Sequence, residues 1–402
     1  MRRRSSMMIL LSLLLITALA VPAAAGGRGH KRRTIRFATY NASLNRPAEG
    51  VLLNDLQAGD AQARQVADII STTRPDVLLI NEFDYDPWAA DVFADEYLDA
   101  AYPYRYSDTC NTGVASGFDL NNDGVVGTGV ETNEYANDAL GFGFFPGQFC
   151  MLVLSKFPID TSRVRTFQGF LWADMPGALL PDDPATPEPA DFYTPEELEV
   201  LPLSSKSHWD VPIRIGRGRT VHFLVSHPTP PTFDGPEDRN GTRNHDEIRF
   251  WADYIRPWRA WYIYDDDGRR GGLARGAAFV IAGDQNADPA DGDSTAGAAQ
   301  QLTEHPLINS RRTPASQGGA EAARLDGGIN LDHEGDPAFD TADFGEPPGN
   351  LRVDYVLPRK GLDIAAAGVF WPTTAQDGRD LIDASDHRLV WIDLELRSRR
   401  HR

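Results

Sequence analysis

The apolar run Phe279-Val280-Ile281-Ala282 stops at Gly283 and is followed by Asp284, Gln285 and Asn286. Side chains alternate along an extended chain, so Asp284 and Asn286 share one face at the rim of a buried strand. An Asp there can accept or pass a proton, and an Asn two residues on offers an amide donor that cannot ionise. Such a pair suits an oxygen that gains charge as a phosphoryl group is transferred. Taken alone, the tetrapeptide is also an ordinary Asx-rich turn after a strand. Its meaning depends on what other strands bring to the same place.

Several do bring polar groups. Residues 34–41 alternate β-branched or aromatic residues with others, as a strand does, and finish on Asn41. Asp60 can cap a helix with Ala63, Val66, Ala67 and Ile70 on one face, ending before Pro75. Val77-Leu78-Leu79-Ile80 then reads as a strand covered on both faces, leading into Asn81-Glu82. Met151-Leu152-Val153-Leu154-Ser155 is another. Residues 211–215 and 220–227 form a predicted hairpin around Gly216-Arg217-Gly218, the second strand ending on His227. Asn244 can open a helix carrying Ile248, Trp251, Ala252 and Ile255, ended near Pro257. Strand character resumes over residues 352–357 around Asp354, and Ser385-Asp386-His387 precedes a last alternating strand, residues 389–396.

The chain of 402 residues carries a formal charge of −19. Arg2-Arg3-Arg4, an apolar run at residues 7–21 and small residues at Ala23 and Ala25 read as a signal peptide over 1–25 and a secreted product. Removing that segment takes three arginines and no acids, so −19 becomes −22. No transmembrane segment is expected in the mature chain, because the apolar run is short for a span and no second one follows. A surface this acidic repels nucleic acid and anionic membrane unless cations intervene, which points to bound metal and to small or cation-screened phosphate substrates. A basic linker (26–33) leads into one domain, 34–402, with insertions near 108–137, 174–203 and 287–350.

The insertions hold open questions. Cys110 and Cys150 are the two cysteines, and an exported chain invites one disulfide at the base of the first insertion, two free buried thiols being the alternative. Asp119, Asn121, Asp123 and Gly124 match the first half of a calcium loop, but position twelve is Val130, with Glu131 one residue late. Residues 119–131 are therefore either a structural Ca²⁺ loop or a solvated Asx turn. Residues 174–203, rich in proline and acid, are a lid or decoration. Arg239 and Arg243 clamp a phosphate or neutralise neighbouring acids.

In order, an apolar strand ending Tyr40-Asn41, then Asn81-Glu82, a strand ending on His227, Gly283-Asp284-Gln285-Asn286, Arg352-Val353-Asp354-Tyr355 and Ser385-Asp386-His387 together resemble the endonuclease/exonuclease/phosphatase superfamily, the DNase I-like enzymes. The resemblance spans about residues 34–396 outside the insertions. It implies an α/β fold, a four-layer α/β/β/α sandwich of two mixed sheets with the site at one end. It implies Glu82 as the main metal ligand, with Asn41 and Asp386 beside it, and carboxylate and amide oxygens without thiol suit Mg²⁺ or Mn²⁺. His387, oriented by Asp354, would be a general base or phosphate contact. Asp284 would orient or deprotonate water, Asn286 would hold a phosphate oxygen, and His227 would serve the leaving group. Two departures stand out: Asn81 where many relatives have Gln, and the stiff Pro228-Thr229-Pro230-Pro231 after His227.

We therefore expect a secreted, monomeric, divalent-metal-dependent phosphoesterase. Nucleic acid is the first expected substrate, and small or lipid phosphoesters, as for a phosphatase or sphingomyelinase-like phospholipase, are the second. A catalytically inactive binding module on the same fold is the reading from a different class.

Overall fold

The computed structural model describes residues 34–216 and 218–395. The expected signal peptide, the linker, Arg217 of the hairpin turn and Leu396 lie outside the described residues. Within them the strands are β1 (Thr34–Leu44), β2 (Val77–Phe83), β3 (Tyr104–Tyr106), β4 (Met151–Ser155), β5 (Arg165–Thr166), β6 (His208–Arg214), β7 (Thr220–Ser226), β8 (Ala278–Asp284), β9 (Ala342–Asp343), β10 (Asn350–Leu351), β11 (Asp354–Pro358), β12 (Asp363–Val369) and β13 (Val390–Glu395). One sheet runs β12-β13-β1-β2-β4-β3 and the other β11-β8-β7-β6-β5, with β9 and β10 a small ribbon apart. The pairs β1–β2 and β7–β8 are parallel and their other neighbours antiparallel, so both sheets are mixed.

The near-continuous apolar runs are explained by what covers each face. Phe37, Val77, Leu79, Met151 and Val153 point inward to meet Val211, Phe223, Val225, Val280 and Ala282 of the other sheet. Their alternates Ala38, Tyr40, Leu78, Ile80, Leu152 and Leu154 face outward under the helices Val51–Ala58, Ala61–Thr73 and Pro87–Val92. On the far side, Leu224, Phe279, Ile281, Tyr355 and Leu357 pack beneath the helix Arg239–Tyr254 and the aromatic residues Phe167, Phe170 and Trp172. A period of two with both phases apolar is the signature of strands buried on both faces, and it yields the four layers expected. Among the described residues, no helix is long and apolar enough to cross a membrane.

Local signals were read unevenly by sequence. Asp60 caps its helix as expected, its Oδ1 accepting from Ala63 N at 2.7 Å, and Arg74 ends it at a φ of 52° before Pro75. The helix assigned to begin at Asn244 begins instead at Arg239, after Asp238 in a left-handed conformation. Asn244 lies inside it because its amide is taken by two carbonyls, Thr229 O and Gln285 O, each at 2.8 Å. The segment 287–350 is not all loop: it contains the helix Gln317–Asp326 and the β9–β10 ribbon. Gly318 and Gly319 hid that helix, and they are there because a Cβ at Gly318 would collide with Trp371 O. β12 also went unread; it is an edge strand of small residues, mostly half-exposed.

Cys110 and Cys150 form a disulfide, Cα–Cα 5.9 Å, that closes the base of the first insertion. In the 119–131 loop, Asp119 accepts from Asp123 N and Gly124 N while Asp138 accepts from Leu120 N and Gly127 N. Backbone N–H groups of the loop thus bind the carboxylates of Asp119 within it and Asp138 beside it.

Two stability predictions follow from these contacts. Phe37 is fully buried with its ring 5.7 Å from that of Phe223 across the sheet interface, so Phe37→Ala should cost about 3–5 kcal/mol in denaturant unfolding; a loss below 1 kcal/mol would contradict the packing. Replacing both cysteines by serine opens a loop of 40 residues and should lower stability by about 2–4 kcal/mol, matched by reduction of the wild type.

Candidate active site

The strand ends converge at one edge of the sandwich, and Asp284 stands at their centre. A Cβ at Gly283, whose φ is 150°, would strike Ser226 O, so glycine lets β8 close on β7 just before the turn that presents Asp284. Antiparallel register sets Asp284 opposite Asp354 at the start of β11. The carboxylate of Asp284 is buried and meets three side chains through one oxygen: Asn41 Nδ2 at 3.1 Å, His227 Nε2 at 3.4 Å and His387 Nε2 at 3.6 Å. Its other oxygen accepts from Asn286 N at 2.9 Å, and its own N–H donates to Asn81 Oδ1.

The same amide of Asn41 donates to Glu82 Oε1 at 3.0 Å, and Asn45 donates to Glu82 Oε2 at 2.8 Å. Glu82 sits at a φ of 56°, where the β1–β2 register slips between Asn41 and Leu44. An irregularity of this kind re-aims a side chain out of the sheet, and a non-glycine residue at positive φ is a marker of a constrained functional site. Asn286 shares that feature at 51°, and its amide donates to Pro228 O at 3.0 Å.

On the far side of Asp284, His387 Nδ1 lies 2.9 Å from Asp354 Oδ2, and Thr341 Oγ1 accepts from Asp354 N. Burial opposes a charge on His387, but Asp354 and Asp284 at its two ring nitrogens outweigh it and raise its pKa to about 10. Burial pushes Asp354 up to about 6 against the pull of the His387 charge. Burial would also raise Asp284; the charge of His387 and the hydrogen bonds from His227 and Asn41 reverse this and hold its carboxyl below the usual range. His227 moves the other way, lowered by burial and by the ammonium of Lys206. One carboxylate is therefore shared by a charged imidazole and a neutral one. The neutral ring turns Nε2 to Asp284 and leaves Nδ1 buried without a partner.

Of the residues singled out in sequence, Asn41, Glu82, His227, Asp284, Asn286, Asp354 and His387 come together in this way. Asp386 is exposed, its Oδ1 accepting from Ser43 Oγ at 3.3 Å and Ser385 Oγ at 3.4 Å, and Ser385 Oγ also reaches Asn41 O at 2.8 Å. Arg243 is no phosphate clamp: its guanidinium is spent on the carbonyls of Leu203, Leu140 and Pro202. Arg239 pairs with Glu237.

Sequence reading missed two residues. Lys206 is buried beside Glu82 and His227, and among the described residues its ammonium has no hydrogen-bond or ion-pair partner; burial lowers its pKa. Glu247, on the helix Arg239–Tyr254, accepts from Ser205 N at 2.8 Å and Thr229 N at 2.6 Å and so ties the loops that carry Lys206 and His227. The run Ser204-Ser205-Lys206-Ser207 just ahead of β6 was the available signal for the first; a lone Glu in an amphipathic helix gives none.

Asp284, Asp354 and His387 are the one group of three metal-ligand types among the described residues whose ligand atoms lie within 4.8 Å of one another. Without a bound metal, His387 between Asp284 and Asp354 favours its protonated form. The oxygens of Glu82 and Asp284, with an amide between them that can turn its oxygen the same way, have the chemistry that a hard divalent cation takes.

A two-sheet α/β sandwich with an acid–amide–histidine centre at one end defines a class of phosphoester-hydrolysing folds. The sequence profile of the Endonuclease/Exonuclease/phosphatase family matches residues 38–387, and the chain belongs to that family, whose members are generally phosphoesterases and typically use a divalent metal. No curated protein matches it. Among solved structures it is similar to an endonuclease/exonuclease/phosphatase from Beutenbergia cavernae, at 18% identity and a TM-score of 0.51, covering 91% of this chain and 72% of that one. It is more distantly similar to a family protein from Leptotrichia buccalis, at 13% and 0.47, covering 90% and 100%. Sphingomyelinase C from Streptomyces griseocarneus matches at 15% and 0.43, covering 90% and 99%. At such identities the first likeness speaks for the fold alone, and the others carry no argument.

The charge on His387 makes a signed prediction. Its folded pKa of about 10 lies above the ordinary value near 6.5, so its contribution to stability is complete below about pH 6.5 and is lost as pH rises through about 10. In chelator, the stability advantage of wild type over His387→Asn should shrink steadily from pH 6.5 to 10; an advantage that stays constant would show that the ring is not charged.

Proposed function

We propose that the chain is an exported, divalent-metal-dependent phosphoesterase that cleaves its substrate by attack of water. What supports this most is the convergence of Asn41, His227 and His387 on one oxygen of the buried Asp284, one amide away from Glu82. Asp284, ionised and buried, orients the attacking water and takes its proton. Water oxygen bonds to phosphorus, the bond from phosphorus to the departing oxygen breaks, and the proton that Asp284 took from the water passes to that oxygen on the side of His227. His387, with its two ring nitrogens toward Asp354 and Asp284, fixes Asp284 and sets positive charge beside it, in keeping with a phosphate contact rather than a base. Lys206 and the Asn286 amide add donors to the phosphoryl oxygens. Mg²⁺ or Mn²⁺, held by Glu82 and Asn41 with Asp386 nearby, would supply Lewis acidity toward the phosphoryl group.

Two substrate classes fit this chemistry. Nucleic acid is the one that the motif order favours. Compact phosphoesters are favoured by a specific observation, a cavity beside Glu82 and His227. The N-terminal segment supports export, which secretion of the processed chain from an expressing host would test.

Hydrolysis of a panel of DNA, RNA, aryl mono- and diesters and sphingomyelin, with Mg²⁺, Mn²⁺ or chelator, tests the reading. Glu82→Ala should lower the metal-dependent rate by roughly a hundredfold or more. Undiminished turnover in that variant would refute the site, and binding without turnover in any metal would favour the inactive module.

A further inference from the structure

A cavity of about 490 Å³ has Glu82 and His227 among its lining residues. A volume of this size encloses a small organic group and is far too small for a duplex. Its other walls come from Leu120 of the first insertion, Phe142 and Phe149 of the stretch that follows it, Tyr193 and Leu201 of the second, and Phe233 of the stretch after the prolines. The two insertions are tied to each other, Asn122 Nδ2 donating to Phe192 O at 2.8 Å, and the disulfide and Asp138 fix the first of them. Residues 174–203 thus contribute Tyr193 and Leu201 to the wall of the cavity.

We infer that this cavity binds the departing arm of the substrate, and that the substrate is a compact phosphoester with a single apolar or aromatic arm rather than a polynucleotide. This rests on the reading of the site as a phosphoesterase and specifies its substrate. Three observations converge on it. The cavity begins at His227, the side that serves the departing oxygen, so whatever that oxygen carries enters it. Its walls are rich in aromatic and aliphatic side chains, and two of them are held at backbone angles that cost energy: Phe149 at a φ of 56°, its N–H bound by Asp84 Oδ1 at 3.1 Å, and Phe233 at 67° with its ring 86% exposed. Such angles persist where the surroundings impose them, and both residues line the cavity. The cations of the cavity can serve one phosphate and no more. Arg243 is committed to carbonyls and Arg239 to Glu237, which leaves Lys206, adjacent to the catalytic groups. A polynucleotide needs a line of such contacts along its backbone, and a chain of charge −19 would have to supply them against its own field.

The test holds leaving-group chemistry constant and varies the arm. Methyl diesters of phosphate with methanol, hexanol and 2-(1-naphthyl)ethanol release alcohols of similar acidity, so differences in rate report the cavity. The naphthylethyl or hexyl ester should exceed the dimethyl ester in kcat/KM by about tenfold or more, mostly through KM, and whichever arm wins distinguishes an aromatic from an alkyl substrate. Phe142→Ser and Phe233→Ser, both at exposed positions, should each reduce that preference severalfold, whereas Trp258→Ser, exposed and outside the cavity, should not. Glu82-dependent hydrolysis with equal kcat/KM for all three arms, or with duplex DNA cut faster than any of them, overturns the inference and leaves the phosphoesterase standing. If no ester is turned over, titration of the protein with 2-(1-naphthyl)ethyl phosphonate decides. Saturable binding weakened by Phe142→Ser keeps the arm pocket and sinks the catalytic reading; no binding sinks the pocket as well.

Discussion

A buried carboxylate cannot be left without partners, and at the open end of this sandwich that carboxylate is Asp284. It lies on β8 of one sheet and draws its partners from the other sheet and from the loops between: Asn41 on β1, His227 after β7, and His387 before β13. Asn81 of β2 receives the Asp284 N–H and reaches back to Ser226 O at 3.5 Å, so amides of the first sheet pin the second. The apolar interface aligns the sheets without specifying their register at this end. These polar links do, and they are bought with the burial of a charge.

The electrostatics follow from that geometry. Two imidazoles approach one carboxylate oxygen, but only His387 has a second acid, Asp354, on its other nitrogen, whereas His227 has Lys206 nearby and no second acid in contact. The fold thus biases two chemically identical side chains toward opposite charge states at one carboxylate. The helix Arg239–Tyr254 braces the arrangement from outside through Asn244 and Glu247, and the insertions wall off a chamber against it.

Much of this was legible in the sequence, for a physical reason. Strands covered on both faces need unbroken apolar runs, so each run and the polar residue that ends it stand out without an alignment; Asn41, Glu82, His227 and Asp284 were all found that way. Elements that depend on tertiary contact were not. Gln317–Asp326 looks like loop because Gly318 makes room for Trp371, and the helix at Arg239 starts early because Asn244 is claimed by two carbonyls that only the fold brings near. Lys206 and Glu247 acquire meaning only from what surrounds them. The choice between clamp and counter-charge for Arg243 was likewise closed by three carbonyls that no spacing foretells.

The account turns on the unequal protonation of the two histidines at Asp284, and ¹⁵N NMR of their ring nitrogens in chelator, assigned by single substitutions, measures it directly. His387 should keep both ring nitrogens protonated at pH 7 and titrate near pH 10, while His227 should titrate below its ordinary value. Two rings titrating together near their ordinary value, or the reverse assignment, would contradict the central claim.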